Sequence, residues 1–417
     1  MLIKDWKVIL TSFFYFIKLI FITKKYDVVF VSSNYFNRDQ NGKNLLFKPM
    51  IESCNKNNLN FIILEDTDLK GEYQNFSRSN DSIPFDFISL LQVILRKFYN
   101  LRYEKPVTEK DIYLREFKIS KILKKIFFRK FTSKVYITLL WNNVTLWRSI
   151  DPDSCVIDYQ HGIIFDGHDR YVKDGNPPKI KSENNICTFV HGDIYKKLLI
   201  NGDKSRFYSN ENVINVGLKK ELRNQNVPSS NNKKILFSLQ AVPDFTGEVI
   251  YSYIDKVKKL LDCNAEFFSK NEYQIILKHH PRYTLHNCPE INFDYDFIKF
   301  NEEKSIEHLL NNVGLHMTFH STSAIDASMM GIPTVFVDMH ELFSPYEIFI
   351  NQYEYPLKNF VVKDPKDLQS ILVKLEDKQI YIDSCNSIYS WSRELTSDFN
   401  EDAFKNFIFD KVKASSK

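Results

Sequence analysis

Along the chain, short runs of β-branched and aromatic residues alternate with longer stretches whose apolar positions recur every three or four residues. The short continuous runs fit strands buried on both faces, and the longer ones fit amphipathic helices. Strand-like runs fall at residues 27–33, 61–65, 135–140, 155–158, 186–190 and 213–217 in the first half, and at 233–240, 275–277, 298–300, 315–319 and 334–338 in the second. Helical spacing covers 45–55, a stretch from residue 85, 117–134, 194–200, 248–261 and most of 380–417. Alternation of this kind predicts parallel sheets covered by helices, an α/β doubly wound architecture. The polar segment 223–232, which carries Pro228, reads as a linker. A chain of 417 residues exceeds what one core usually serves, so two domains are expected, residues 1–228 and 229–380.

The densest chemistry lies between residues 273 and 338. The run Ile275-Ile276-Leu277 ends in Lys278-His279-His280-Pro281-Arg282, which places polar groups at a strand's carboxyl end, where open α/β sheets bind ligands. Downstream, His320-Ser321-Thr322-Ser323 forms a hydroxyl-rich turn entering a helix that Gly331 ends and Pro333 keeps from continuing. Free backbone N–H groups and the helix dipole at such a turn favour phosphate. Asp326 falls one helical turn further on, where a carboxylate can accept hydrogen bonds from a ribose diol. A second loop follows the strand at 155–158 and carries Gln160, His161, Asp166, His168 and Asp169, with Gly162 and Gly167 permitting tight turns. His191 ends the next strand, and Gln240 ends the first strand of the second half.

The spacing Ser323-x-x-Asp326 followed by Gly331-x-Pro333 resembles the donor-binding element of GT-B glycosyltransferases, where the acidic residue, more often Glu, contacts the nucleotide ribose. His280-Pro281 together with Ser321-Thr322 or Thr322-Ser323 resembles the HP and S-S/T motifs of bacterial sialyltransferases and related capsule and lipopolysaccharide transferases that use CMP-linked sugars. Tyr159-Gln160-His161-Gly162 is similar to the base-histidine loop of CDP-glycerol-type polymer transferases, and Asp166-Gly167 is a partial likeness to the acidic motif of the sialyltransferases.

These resemblances imply a GT-B fold, two Rossmann-like domains facing a central cleft, with an acceptor-side first domain, a nucleotide-donor-binding second domain and C-terminal helices over 381–417 packing back toward the first. They also imply transfer of a sugar, sialic acid or Kdo-like, from a nucleotide donor to a surface-glycan acceptor. Lys278, His279, His280, Pro281, Arg282, His320, Ser321, Thr322, Ser323 and Asp326 would hold the donor, with His280 among the catalytic groups. His161 or Asp166 would be the general base, and Gln160, His168, His191 and Gln240 would line the acceptor side or cleft.

Charge and cysteine usage narrow the setting. A net charge of +4 implies no partner by itself. Residues 117–134 nevertheless carry seven Lys or Arg and no acid, and residues 8–22 are almost wholly apolar. Each stretch fits either a helix packed on the first domain or contact with an anionic membrane surface, through residues 1–24 and 117–134, and no nucleic-acid motif accompanies them. Six scattered cysteines without a C-x-x-C spacing favour reduced thiols in the cytosol. The resemblance, together with the two amphipathic stretches, implies a cytoplasmic protein peripheral on the inner face of the membrane. The histidines and acids of the 161–169 loop match no metal-ligand spacing, and Asp294-Tyr295-Asp296 precedes its strand instead of following it. Metal-independent catalysis with no cofactor beyond the nucleotide-sugar co-substrate is the expectation. A CDP-polyol phosphotransferase, a nucleotide-sugar epimerase and a non-catalytic membrane-associated assembly subunit are the alternatives.

Overall fold

The computed structural model describes residues 6–32, 42–65, 79, 81–103, 105–139, 143–218, 229–240, 245–280, 293–300 and 306–414. Its contacts divide the chain into two units, each built on one parallel sheet.

The first unit holds β1 (Lys24–Ser32), β2 (Phe61–Glu65), β3 (Ile83–Pro84), β4 (Phe131–Leu139), β5 (Cys155–Tyr159), β6 (Cys187–Val190) and β7 (Val213–Asn215). They pair in the order β3-β2-β1-β4-β5-β6-β7, so the direction of winding reverses between β1 and β4. Its helices are α1 (Trp6–Phe21), α2 (Lys48–Lys56), α3 (Asp86–Arg102), α4 (Glu109–Ile126), α5 (Val144–Ile150), α6 (Lys179–Glu183) and α7 (Asp193–Gly202). Side chains alternate across the sheet. Val29 and Val31 of β1 pack with Phe16, Phe85, Leu123 and Trp147 on the face covered by α1, α3, α4 and α5, while Val28 and Phe30 pack with Met50 on the other. Cover on both faces is the reason these strands read as continuous apolar runs.

The helix expected over 117–134 is corrected. α4 begins at Glu109, where Thr108 and Asp111 form a reciprocal capping box, and ends at Ile126. Residues 131–134 are the start of β4, with Phe131 opposite Lys24 and Thr132 opposite Lys25 of β1. At 100° per residue Phe128 would stand on the opposite side of a helix from Ile119. Both are buried in the same core with Phe127 and Phe131, which a continued helix does not allow.

The second unit holds β8 (Lys234–Ser238), β9 (Gln274–Lys278), β10 (Ile298–Phe300), β11 (Leu315–Thr318), β12 (Thr334–Val337) and β13 (Val361–Val362), with α8 (Gly247–Lys270), α9 (Ile306–Leu310), α10 (Ser323–Met329), α11 (Asp367–Glu376) and α12 (Lys378–Leu395). The strand order β10-β9-β8-β11-β12-β13 reverses between β8 and β11, as in a dinucleotide-binding Rossmann sheet.

The expected C-terminal span 381–417 divides at Thr396. α12 stays in the second unit, where Tyr381 and Cys385 are core residues and the Tyr381 hydroxyl donates to the Gly314 carbonyl at 2.6 Å. The chain then re-enters the first unit, and α13 (Glu401–Ala414) buries Phe404 and Ile408 against Phe189 and Val216. Between the two, the Ser397 N–H donates to the His191 carbonyl at 2.8 Å and the Leu218 N–H to the Ser397 carbonyl at 2.9 Å. Gly217, at φ +69°, makes this seam possible, because a Cβ there would lie 2.1 Å from the Asp398 carbonyl oxygen. Gly217→Ala is therefore expected to cost about 3 kcal/mol of unfolding free energy in the first unit. Urea titration checks it, and a loss below about 0.5 kcal/mol would mean that no such close approach holds the seam.

Candidate functional site

In the first unit the loop after β5 is held by its own side chains. Gln160 is buried, its Oε1 accepting the His191 N–H at 2.7 Å and its Nε2 donating to the Gly162 carbonyl at 2.7 Å. It ties the β5 and β6 loops together, so His161 and His191 are fixed near one another while Gln160 itself is turned inward. The His191 ring meets Tyr159 edge-on at 5.0 Å. Burial, with help from Arg170 and neighbouring histidines, drives the His161 pKa well below the ordinary imidazole value. His161 is thus neutral at pH ~7 and able to accept a proton.

Further out, the backbone folds over His168, whose Nδ1 accepts the Arg170 N–H at 3.2 Å and whose ring sits 4.5 Å from Phe165 and 5.2 Å from Tyr171. Burial lowers its pKa to about 4. Asp166 is exposed beside Gly167, which has φ +73°.

Sequence patterns missed the anchor of this loop. Asp158 of β5 and Lys181 of α6 form a buried ion pair at 2.6 Å, and the Lys181 ammonium lies 4.1 Å from the centre of the Tyr171 ring. A lysine in a short helix carries no periodic signal that would mark it as interior.

In the second unit the candidate residues gather at the carboxyl ends of β8, β9 and β11, on either side of the reversal in strand order. Gln240, after β8, accepts the His320 N–H through Oε1 at 3.0 Å, and its own N–H donates to the Tyr253 hydroxyl at 3.0 Å. The β8 and β11 loops are therefore bridged at the position where such sheets bind nucleotides. Lys278 ends β9 and His279 and His280 come directly after it, all three partly exposed. The His279 ring stacks on Phe300 at 5.4 Å, and burial followed by Lys278 lowers its pKa to about 4. Pro281 and Arg282 lie outside the described residues. His320 leans on Phe343 at 5.2 Å, its pKa lowered to about 4 by burial and then by His340.

The hydroxyl turn divides into an outer and an inner part. Thr322 is exposed and Ser321 partly so. Ser323 is buried, and its Oγ points to His316 Nε2 at 3.2 Å. The N–H groups of Ser323, Ala324 and Ile325 are used within the turn, bonding to Ser321 Oγ and to the Ser321 and Thr322 carbonyls. Ser321 and Thr322 are the hydroxyls left at the outer side. Asp326 is half-buried in the first turn of α10.

Beneath the turn lies a residue that sequence reasoning left unassigned. His316 is fully buried, with Nε2 at 2.9 Å from Ser238 Oγ and Nδ1 at 3.0 Å from Thr334 Oγ1. One neutral imidazole thus joins β8, β11, β12 and the start of α10. Burial lowers its pKa to about 3. Among the described residues no group of three or more His, Cys, Asp or Glu side chains is placed to hold a metal ion.

Comparison with known proteins adds the architecture. No protein-family model and no curated protein matches the sequence. Among solved structures, a variant of the wall teichoic acid polymerase TagF aligns over 94% of this chain and 90% of its own, with a TM-score of 0.55 and 12% identity. The S. aureus MnaA structure with UDP aligns over 94% and 97%, with a TM-score of 0.51 and 11% identity. The glycotransferase of kitacinnamycin aligns over 93% and 100%, with a TM-score of 0.50 and 9% identity.

The chain has the GT-B fold. At these identities the likeness shows the fold alone, and transferases and epimerases share it. Within a GT-B chain, the His161 loop and the Gln240–His320 group each stand at the carboxyl ends of strands, the first in one Rossmann-like sheet and the second in the other.

Proposed function

We propose that this protein is a glycosyltransferase that moves a sugar, sialic acid or Kdo-like, from a CMP-linked donor to a surface-glycan acceptor, without a metal or cofactor, at the cytoplasmic face of an anionic membrane. The observation that carries the donor half is the bridge at the strand-order reversal of the second unit, where Gln240 holds His320 at the head of the Ser321-Thr322 turn. With His280 at the end of β9, these groups suit a nucleotide phosphate. Negative charge grows on that phosphate as the glycosidic bond breaks, and each donor already aimed at it is worth about 3–4 kcal/mol. Asp326 would take the ribose hydroxyls.

His161 is the favoured base because it is neutral, with Asp166 the second candidate. A pKa held so low also weakens an imidazole as a base. An anionic donor or acceptor placed beside it would raise the pKa and restore basicity, which makes deprotonation of the acceptor hydroxyl depend on substrate being bound.

The test is a thermal-shift panel of CMP, CDP, UDP, GDP and ADP on the wild type, His280→Ala and Thr322→Ala. A nucleotide at about a hundred times its dissociation constant adds about 2.7 kcal/mol to stability. Selective stabilisation by CMP, weakened in both variants, is the expected result. A response to CDP alone would favour a polyol phosphotransferase. A response to UDP alone, with conversion of a UDP-sugar in the absence of acceptor, would move the function to the epimerases that share the fold. No response to any nucleotide would favour a non-catalytic assembly subunit.

A further inference from the structure

The outer side of the helical layer on the first unit is apolar where a solvated surface would be polar. α1, α3 and α4 lie on one face of the sheet and are joined through shared aromatic contacts, Phe13 to Phe87 at 5.0 Å and Phe87 to Phe127, the residue that follows α4, at 5.4 Å. Facing away from that core, α1 exposes Trp6 (61%), Leu10 (50%), Phe14 (65%) and Phe21 (70%), and α3 exposes Phe98 (65%) and Leu101 (83%). At 100° per residue the four α1 positions fall in a sector of about 80°, with Lys7 and Lys18 on its border. Phe98 and Leu101 of α3 are flanked on both sides, by Lys97 and Arg102. α4 adds Lys121 and Lys125 beside the exposed Ile122 and Ile126. The sequence of α1 contains no acidic residue, and the only acid of α3 is Asp86, which is buried.

We propose that this face docks in the plane of an anionic bilayer, with the aromatic and leucine side chains of α1 and α3 entering the boundary between headgroups and acyl chains and the flanking cations meeting lipid phosphate. The proposal deepens the membrane part of the function above and rests on that reading only for what the acceptor is. It also reassigns the contact. Phe127, Phe128 and Phe131 are core residues and cannot reach lipid, while α3, which has no place in the segments 1–24 and 117–134, supplies one of the two exposed apolar stripes. A second copy of the chain is the poorer occupant. A two-fold contact through this face would set the same cations against themselves, whereas an anionic lipid surface complements them. Long apolar side chains bordered by lysine stems are the arrangement that holds a helix in a membrane interface.

The test is co-sedimentation of the full chain with vesicles of phosphatidylcholine alone and of phosphatidylcholine mixed with an equal amount of phosphatidylglycerol. The wild type should bind the mixed vesicles, release as salt is added, and bind phosphatidylcholine weakly. Phe98→Glu with Leu101→Glu should lower binding about tenfold or more, and Lys121→Glu with Lys125→Glu should weaken it chiefly at low salt. These side chains are exposed, so both variants should keep the wild-type unfolding transition, and their nucleotide-induced shifts should be unchanged. A wild type left in the supernatant with mixed vesicles, or an α3 variant that binds as well as wild type, overturns the proposal. So does a concentration-dependent dimer in light scattering that the α3 variant abolishes, since the face would then be covered by a second copy. Vesicle binding without any nucleotide response would sink the transferase reading and leave the surface standing, and the reverse result would do the opposite.

Discussion

Lys181→Met should lower the unfolding free energy by about 3–5 kcal/mol, the usual cost of leaving one partner of a buried ion pair uncompensated. Both members of the pair are out of water, Lys181 at 0% and Asp158 at 3% side-chain exposure, and they meet at 2.6 Å. Burial pulls the lysine pKa down and the Asp158 carboxylate opposes that pull. Removing the cation takes away the charge that faces the Asp158 carboxylate at 2.6 Å. Adding Asp158→Asn to Lys181→Met should recover much of the loss, because the pair is stabilising mainly relative to its own broken halves. Urea titration of the two single variants and the double variant closes the cycle. A single-variant loss below about 1 kcal/mol would show that Asp158 is compensated by something other than Lys181.

The same variant bears on the candidate site. The Lys181 ammonium rests on Tyr171, at the end of the loop that carries His161, and it is one of the cations that depress the His161 pKa. In Lys181→Met the imidazole titration of His161, followed by NMR, should move upward.

Acid should unfold this protein earlier than carboxylate protonation alone would. His316 in the folded state titrates at about 3, and an unfolded-chain histidine titrates near 6.5. A folded pKa lying below the unfolded one means that the unfolded chain takes up protons first. The stability associated with neutral His316 is therefore whole above pH ~6.5 and is lost as pH falls toward the folded value. The slope for one such group is about 1.4 kcal/mol per pH unit, so His316, which is fully buried, accounts for a loss on the order of 4–5 kcal/mol across the window. His168, His279 and His320, each lowered to about 4, act in the same direction. Unfolding free energy should hold level down to pH ~7 and then fall steeply, and His316→Gln should have a shallower slope below pH ~6.5. A wild-type stability that stays flat to pH ~5 would contradict a set of histidines held neutral by the fold.

Several features of this protein were legible because they are local. The short, mostly apolar runs of β1, β5, β8, β11 and β12 mark strands covered on both faces, and their alternation with helical spacing leads to two doubly wound sheets. The hydroxyl run at 321–323 and the Gly331-Pro333 stop likewise declare a turn and a short helix from neighbouring residues alone. The end of α4 was not legible. Its apolar spacing continues past Ile126, and only the pairing of Phe131 with Lys24, more than a hundred residues earlier, makes residues 131–134 the start of β4, whose later part already read as a strand.

The candidate site divides along the same line. Sequence placed His161, His191, His279, His280 and His320 at the ends of strands, because strand ends are local. Which side chains face outward was decided by partners far away in the chain. Ser323 turns inward because its hydroxyl pairs with His316, buried between Ser238 and Thr334, and Gln160 turns inward because the backbone N–H of His191 needs an acceptor. Lys181 is interior because Asp158 is, and α3 shares the apolar outer face because Phe87 joins it to α1 and α4. Periodicity along the chain determined the strands, the helices and the fold class. Burial and hydrogen bonding between distant segments decided which hydroxyls, imidazoles and aromatic side chains remain at the surface, since the cost of an unpaired buried group is settled only when its partners have been brought beside it.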